Sequence, residues 1–308
     1  MPGLAFVFPG QGAQRPGMGK ELAANYAEAA RIYDQADEIV GYKLSALCFE
    51  GPAEQLNKTE FAQPALLTTS LAILEVVKKH GLSPVMMAGL SLGEYTALVA
   101  TGAMSLQQAL PLVQHRALFM QTAVPDGKGA MAAVLGLEAD QVTEICQRAK
   151  GMVDIANYNC PGQLVISGET EAVNEAGASL KKIGGRVVPL AVSVPSHSQL
   201  MRDAAIKLQP ELHSVDWQEP SVPVVSNVNA QANPRKDFAD LLEKQLFSPV
   251  LWEQSIRYML NQVDYFVEIG PGSTLSGLIK KIDRSRLLGH IEDIPSLNKV
   301  IAEANHHE

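Results

Sequence analysis

Short uninterrupted apolar runs alternate along the chain with longer stretches whose apolar residues recur at three- and four-residue steps. Leu4–Phe8 is wholly apolar and stops at Pro9-Gly10, the pattern of a strand buried on both faces. Pro64 is expected to open a helix whose Leu67, Leu71, Leu74 and Val77 share one face. A brief apolar run at 85–88 leads into Gly89-Leu90-Ser91-Leu92-Gly93, then a helical stretch at 94–100 halted by Gly102. The runs 222–225 and Tyr265–Ile269 are further core strands. Strands and helices in this alternation build a mostly parallel sheet covered on both faces.

One internal stretch has a different order. It reads as strand 130–135, helix 138–150, strands 153–158 and 164–167 around the turn Asn159-Cys160-Pro161-Gly162, helix 170–183 and strand 186–192. That order, β-α-β-β-α-β, is the ferredoxin-like split pattern. The expected architecture is α/β: a large α/β-hydrolase-like domain from residues 1–126 and 193–308, interrupted by a small ferredoxin-like domain at 127–192.

Composition removes several function classes. The formal net charge is −8, which disfavours nucleic acid as a partner, because phosphate binding rests on positive charge. No uninterrupted apolar run reaches the ~18 residues that span a bilayer, and the apolar start lacks a basic leader, so a cytoplasmic protein without a membrane partner is expected. Cys48, Cys146 and Cys160 are odd in number and far apart, so neither a disulfide framework nor a metal site is expected. Basic residues cluster locally at Lys181, Lys182 and Arg186, and again at Lys280, Lys281, Arg284 and Arg286.

The chemistry concentrates at Ser91. G-x-S-x-G between a strand and a helix is a nucleophile elbow, in which glycines permit the sharp turn and the helix start faces the reacting carbonyl. A serine needs a base, and His197 in Val194-Pro195-Ser196-His197-Ser198 is the candidate. Acids between Ser91 and His197 fall mostly in the inserted domain, so a third triad member stays open on the residues alone. The turn Phe8-Pro9-Gly10-Gln11-Gly12 fits neither phosphate-loop pattern: Arg15 and Gln14 stand where each needs glycine. A tight turn that carries Gln11 toward another group, and so supplies an oxyanion donor, is the alternative to a plain surface turn.

Together these motifs resemble the malonyl-CoA:acyl carrier protein transacylase family of fatty acid and polyketide synthesis. The resemblance covers nearly the whole chain. It runs through FPGQGAQ (8–14), GPAEQLNKTEFAQPAL (51–66), AGLSLGEYTALV (88–99), HRALFMQ (115–121), NYNCPGQLVISG (157–168), VPSHS (194–198), QLFSPVLW (245–252) and EIGPGSTLSGLIK (268–280).

It implies Ser91 as nucleophile, His197 as its base, and the backbone carbonyl of Gln245 as the group that orients the base. It also implies the N–H groups of Gln11 and Leu92 as an oxyanion hole, Arg116 as the partner of the malonyl carboxylate, Asn159 lining the site, and Gly270-Pro271-Gly272 shaping a tight wall. The implied substrates are malonyl-CoA and a holo-acyl carrier protein, a transient acidic partner drawn to the basic clusters, with no cofactor and a monomeric enzyme. One departure is visible: many members carry His before the nucleophile, where this chain has Leu90. An acyl hydrolase of the same architecture, a methylmalonyl-preferring acyltransferase and a catalytically dead carrier-binding scaffold are the rival readings. Arg116 argues against the hydrolase, since an unfunctionalised acyl chain has no use for a buried cation.

Overall fold

The computed structural model describes residues 2–192 and 194–306; Ser193, where the sequence places the return to the large domain, lies outside them. The chain opens with β1 (Leu4–Phe8), followed by helices α1 (Lys20–Asn25), α2 (Ala27–Val40), α3 (Leu44–Glu50), α4 (Ala53–Leu56) and α5 (Thr59–Lys79). Next come β2 (Pro84–Gly89), α6 (Leu92–Ala100) and α7 (Leu106–Thr122). The inserted stretch holds β3 (Gly129–Leu135), α8 (Ala139–Arg148), β4 (Val153–Cys160), β5 (Gln163–Glu169), α9 (Thr170–Lys182) and β6 (Arg186–Pro189). The remainder is α10 (Arg202–Ser214), β7 (Val224–Val225), α11 (Phe238–Gln245), α12 (Trp252–Leu260), β8 (Tyr265–Ile269), α13 (Thr274–Asp283), β9 (Leu287–Ile291) and α14 (Ile294–His306).

Two sheets result. The first has five strands in the order β7-β2-β1-β8-β9, with every pairing parallel. The alternation within β1 explains its central place. Leu4, Phe6 and Phe8 enter one apolar cluster with α2 and α5, while Ala5 and Val7 enter another with Trp252 and Ile256 of α12. A strand apolar on both faces is what a parallel sheet between helix layers requires. The second sheet is antiparallel, in the order β4-β5-β3-β6. Its α8 and α9 share a separate cluster with it, including Val142, Cys146, Ile166, Val173 and Leu180.

Several boundaries differ from the sequence reading. Helix α5 starts at Thr59, and Pro64 sits inside it instead of opening it. The long apolar face of α5 compensates, since sixteen of its residues from Thr59 to Val77 are buried and tertiary packing outweighs the local penalty. Asn159 and Cys160 belong to β4, leaving only Pro161-Gly162 as the turn, and β6 ends at Pro189 instead of continuing to 192. Among the described residues α5 is the one helix with the length and mean hydropathy (1.2) of a membrane span, yet 83% of that stretch is buried inside the protein.

In the parallel sheet β1 is flanked by β2 on one side and β8 on the other. The strand order therefore runs outward from β1 both ways, β2 then β7 on one side and β8 then β9 on the other, and the crevice at the carboxyl ends of these strands is where a ligand site is expected in such a sheet. Residues 9–12, 90–91 and 270–272 follow those ends.

Candidate active site

Ser91 sits between β2 and α6 with φ 54° and ψ −106°, a left-handed backbone that a non-glycine residue adopts at a cost. The flanking glycines allow it. A Cβ on Gly89 would lie 1.9 Å from the Gly93 backbone, and one on Gly93 would lie 2.1 Å from the Phe8 carbonyl oxygen. Elbow and first strand are thus in backbone contact. The turn after β1 closes on the same point, because a Cβ on Gly10 would meet the Leu90 carbonyl at 2.5 Å. That approach brings Gln11 to the wall of the cavity that Ser91 and Leu92 also line. Leu92 is the first residue of α6, so its N–H has no partner one turn back in the helix.

His197 comes from the segment after β6 and also has positive φ, 61°. Its Nε2 lies 2.8 Å from Ser91 Oγ, and its Nδ1 lies 2.8 Å from the Gln245 carbonyl oxygen. Since a carbonyl only accepts, Nδ1 carries the hydrogen and Nε2 presents its lone pair to the serine hydroxyl. Burial, then the nearby Arg116 charge, lowers the His197 pKa to about 4, against hydrogen bonds to the backbone of Gln245 and Ser248 that raise it. The ring is therefore neutral at pH 7. A depressed pKa means that protonation enters only as pH falls toward about 4. Acylation of Ser91 is accordingly expected to hold level from pH 7 down to about pH 5 and to fall near pH 4. A rate–pH profile bending near the ordinary imidazole value would contradict this.

Arg116 projects from α7 and is 1% exposed. Its Nη1 donates to Gln63 Oε1 at 2.8 Å, and its Nη2 donates to Gln245 Oε1 at 3.0 Å and to Ser91 Oγ at 3.2 Å. The guanidinium also stacks 5.2 Å over the Tyr95 ring. Every one of these oxygens is neutral. Among the described residues no carboxylate forms an ion pair with Arg116, and its Nε is buried without a partner. A desolvated cation held by neutral dipoles is a receptor for an anion.

Four residues around this centre escaped the sequence reading: Gln63, Glu94, Asn227 and the side chain of Gln245. Asn227 Oδ1 accepts from the Ser91 N–H at 2.7 Å, and Gln245 Nε2 donates to the Ser91 carbonyl at 3.0 Å. Glu94, 3% exposed, accepts from Gln245 Nε2 at 2.7 Å and from the Asn227 N–H at 3.1 Å. Burial raises its pKa to about 7, while those hydrogen bonds restrain the rise. Gln63, Glu94 and Gln245 fall within stretches that carry the resemblance and Asn227 falls outside them, but a single polar side chain has no pattern of its own, and these bonds join positions 53 to 154 residues apart.

The cavity measures about 860 Å³, within the usual range of small-molecule sites. One wall comes from loops and helix α7 beside the parallel sheet, with Gln11, Ser91, Arg116 and His197, and the other from the antiparallel sheet, with Met131, Asn157, Asn159 and Gln163. Asn159 is 8% exposed, with an Oδ1 that has no partner. Gly270 (φ 142°) does pack tightly: a Cβ there would lie 2.6 Å from the Pro9 ring. Leu90 lines the same cavity, and Cys160 is buried as a free thiol.

The second basic cluster divides. Lys281 Nζ donates to Gln163 Oε1 at the cavity edge, whereas Arg286 is spent on the carbonyls of Leu260 and Val263. Among the described residues, the group whose ligand atoms lie close enough to share a metal is His213, Asp240 and Glu243, none of which lines the cavity.

The class of protein to which this fold and site belong is set by a family match: residues 5–301 match the acyl transferase domain. Within that class, the chain belongs to the malonyl CoA-acyl carrier protein transacylase family. It is 50% identical over 290 residues to the Bacillus subtilis malonyl CoA-acyl carrier protein transacylase, covering 92% of each chain. The crystal structure of the Clostridium perfringens malonyl CoA-acyl carrier protein transacylase superposes with a TM-score of 0.96 at 42% identity, over 99% of this chain and 98% of that one. A malonyl-transacylase in complex with its type II PKS acyl carrier protein superposes with a TM-score of 0.94 at 41% identity, over 97% and 99%.

Proposed function

We propose that the chain transfers a malonyl group from malonyl-CoA to the phosphopantetheine thiol of an acyl carrier protein, through a malonyl ester on Ser91. The observation that carries the reading is the triangle at Ser91 Oγ, 2.8 Å from His197 Nε2 and 3.2 Å from Arg116 Nη2. It joins an activated nucleophile to a site for a free carboxylate.

His197 takes the hydroxyl proton as Ser91 Oγ bonds to the thioester carbonyl carbon, and the Gln245 carbonyl keeps the ring in the tautomer this needs. The N–H groups of Gln11 and Leu92 receive the developing oxyanion, a donor pair in which losing one member typically costs about 2.7–4 kcal/mol. The C–S bond breaks, the coenzyme A thiolate takes the proton back from His197, and the ester remains. In the second half the carrier thiol gives its proton to His197 and attacks the ester, and Ser91 leaves with that proton. No electrons change hands in either half, so the exchange balances without a redox cofactor. Arg116 holds the distal carboxylate through both halves, and Asn159 faces the bound acyl thioester from β4.

Two domains, 1–126 with 193–308 and 127–192, fit this division of labour, with the smaller one closing the cavity over the nucleophile. Lys281, at the cavity edge through Gln163, and its neighbours Lys280 and Arg284 offer the positive surface that an acidic carrier protein would approach.

Intact-mass measurement tests the reading. Incubation with malonyl-CoA is expected to add one malonyl group at Ser91, which holo-carrier protein then removes, while acetyl-CoA leaves little adduct. No mass gain with malonyl-CoA overturns the proposal.

A further inference from the structure

We infer that Glu94 is a positioning residue for the nucleophile: its buried carboxylate orients the Gln245 side-chain amide and anchors the Asn227 backbone, and these two residues pin the peptide groups on either side of Ser91. The inference rests on the reading of Ser91 as the nucleophile.

The strained Ser91 backbone persists only if its surroundings over-determine it. They do so from both sides. Asn227 holds the Ser91 N–H through Oδ1 and the Gly89 carbonyl through Nδ2 at 2.7 Å, so it spans the end of β2. Gln245 holds the Ser91 carbonyl through Nε2. An amide has two ends of nearly equal size, so its orientation depends on its neighbours. Glu94 Oε2 supplies the deciding acceptor. With Nε2 of Gln245 toward Glu94 and the Ser91 carbonyl, Oε1 faces Arg116. The reversed amide would set oxygen against two oxygens and an NH₂ group against a guanidinium. The same Oε2 receives the Asn227 N–H, which fixes the backbone that carries the other clamp.

Two plainer roles for Glu94 explain less. An acid in the first turn of α6 interacts favourably with the helix dipole, but that needs no burial, and Glu94 is 3% exposed. Charge balance of Arg116 is the second: each group does favour the other's charged form, but no ion pair joins them among the described residues, and charge alone does not place the Glu94 oxygen on the two N–H groups it receives.

The test compares Glu94→Gln, Glu94→Asp and Glu94→Ala with the wild-type chain, using a fluorophosphonate that reacts with an activated serine without needing Arg116. Glu94→Gln keeps an acceptor oxygen at the same reach and loses the charge; Glu94→Asp keeps the charge and withdraws the oxygen. Labelling of Glu94→Gln is expected within ~5-fold of wild type. Glu94→Asp and Glu94→Ala should fall by ~100-fold, the scale of a misplaced reacting group. An active Glu94→Asp beside a slow Glu94→Gln assigns the effect to charge and overturns the inference. Equal labelling across all variants overturns it too, and the Gln and Asp pair decides the matter if Glu94→Ala does not fold. Failure of the wild-type chain to label at Ser91 is a different outcome, since it removes the nucleophile itself.

Discussion

Ser91→Ala is expected to gain no covalent mass from malonyl-CoA, and its transfer rate should fall by ~10⁴–10⁶-fold, the range seen when a serine nucleophile is deleted. The loss is chemical, not architectural. The substitution removes one oxygen that touches His197 at 2.8 Å and Arg116 at 3.2 Å, while the Asn227 and Gln245 contacts to the Ser91 backbone stay in place. Alanine meets the same backbone angles as serine, and the glycines that permit the turn are unchanged. The variant should therefore fold, keep the cavity and bind malonyl-CoA through Arg116 with little change in affinity. Rapid-quench acylation and equilibrium binding separate these outcomes. A malonyl adduct forming at the wild-type rate on the alanine protein would transfer the nucleophile to another group, with Ser196 beside His197 the first to examine.

Much of this centre is legible in the residue order because backbone geometry leaves a trace there. The elbow demands small neighbours, and Gly89 and Gly93 stand where a Cβ would strike the Gly93 backbone or the Phe8 carbonyl. The buried strand β1 shows as an apolar run whose alternate residues fill two clusters. The split βαββαβ order shows because each element is long enough for its period to register. The resemblance supplied what the residues alone left open, namely the Gln245 carbonyl in place of a third acid, and the geometry has that carbonyl on His197 Nδ1.

Other features left a partial trace or none. The apolar run 222–225 does mark strand β7 but overstates its length, since only Val224 and Val225 form it and pair with Met87 and Ala88 of β2. The start of α5 was hidden by Pro64, whose usual place in a first turn yields here to the packing of the helix as a whole. Gln63, Glu94, Asn227 and the Gln245 side chain are single polar residues, and their meaning appears only when distant segments meet. Glu94 illustrates the limit. It is one of the acids between Ser91 and His197 in sequence, which invites a triad role, yet its carboxylate turns away to two amides.

Arg116→Ala should reverse the acyl preference of the site. Wild-type Arg116 is buried, bonded to neutral oxygens and without an ion pair among the described residues, so it is poised for a carboxylate that the substrate brings. Removing it leaves the malonyl carboxylate facing a desolvated cavity, and kcat/KM for malonyl-CoA is expected to fall by ~10⁴-fold, the scale of discrimination in sites built around a buried polar contact. Acetyl-CoA never used the guanidinium and no longer confronts an unpaired charge, so its relative rate should rise. Arg116→Lys should recover only part of the malonyl rate, because an ammonium cannot reproduce the planar fork across Gln63 and Gln245. A second signature accompanies the first. Arg116 is, after burial, the next contributor lowering the His197 pKa to about 4, so its loss should move the acid limb of the rate–pH profile upward. Burial still holds the ring down, and the limb should stay below the ordinary imidazole range. Measuring acetyl and malonyl acylation across pH reads both effects from one variant. An unchanged acyl preference would end the carboxylate role of Arg116, whatever the pH profile did.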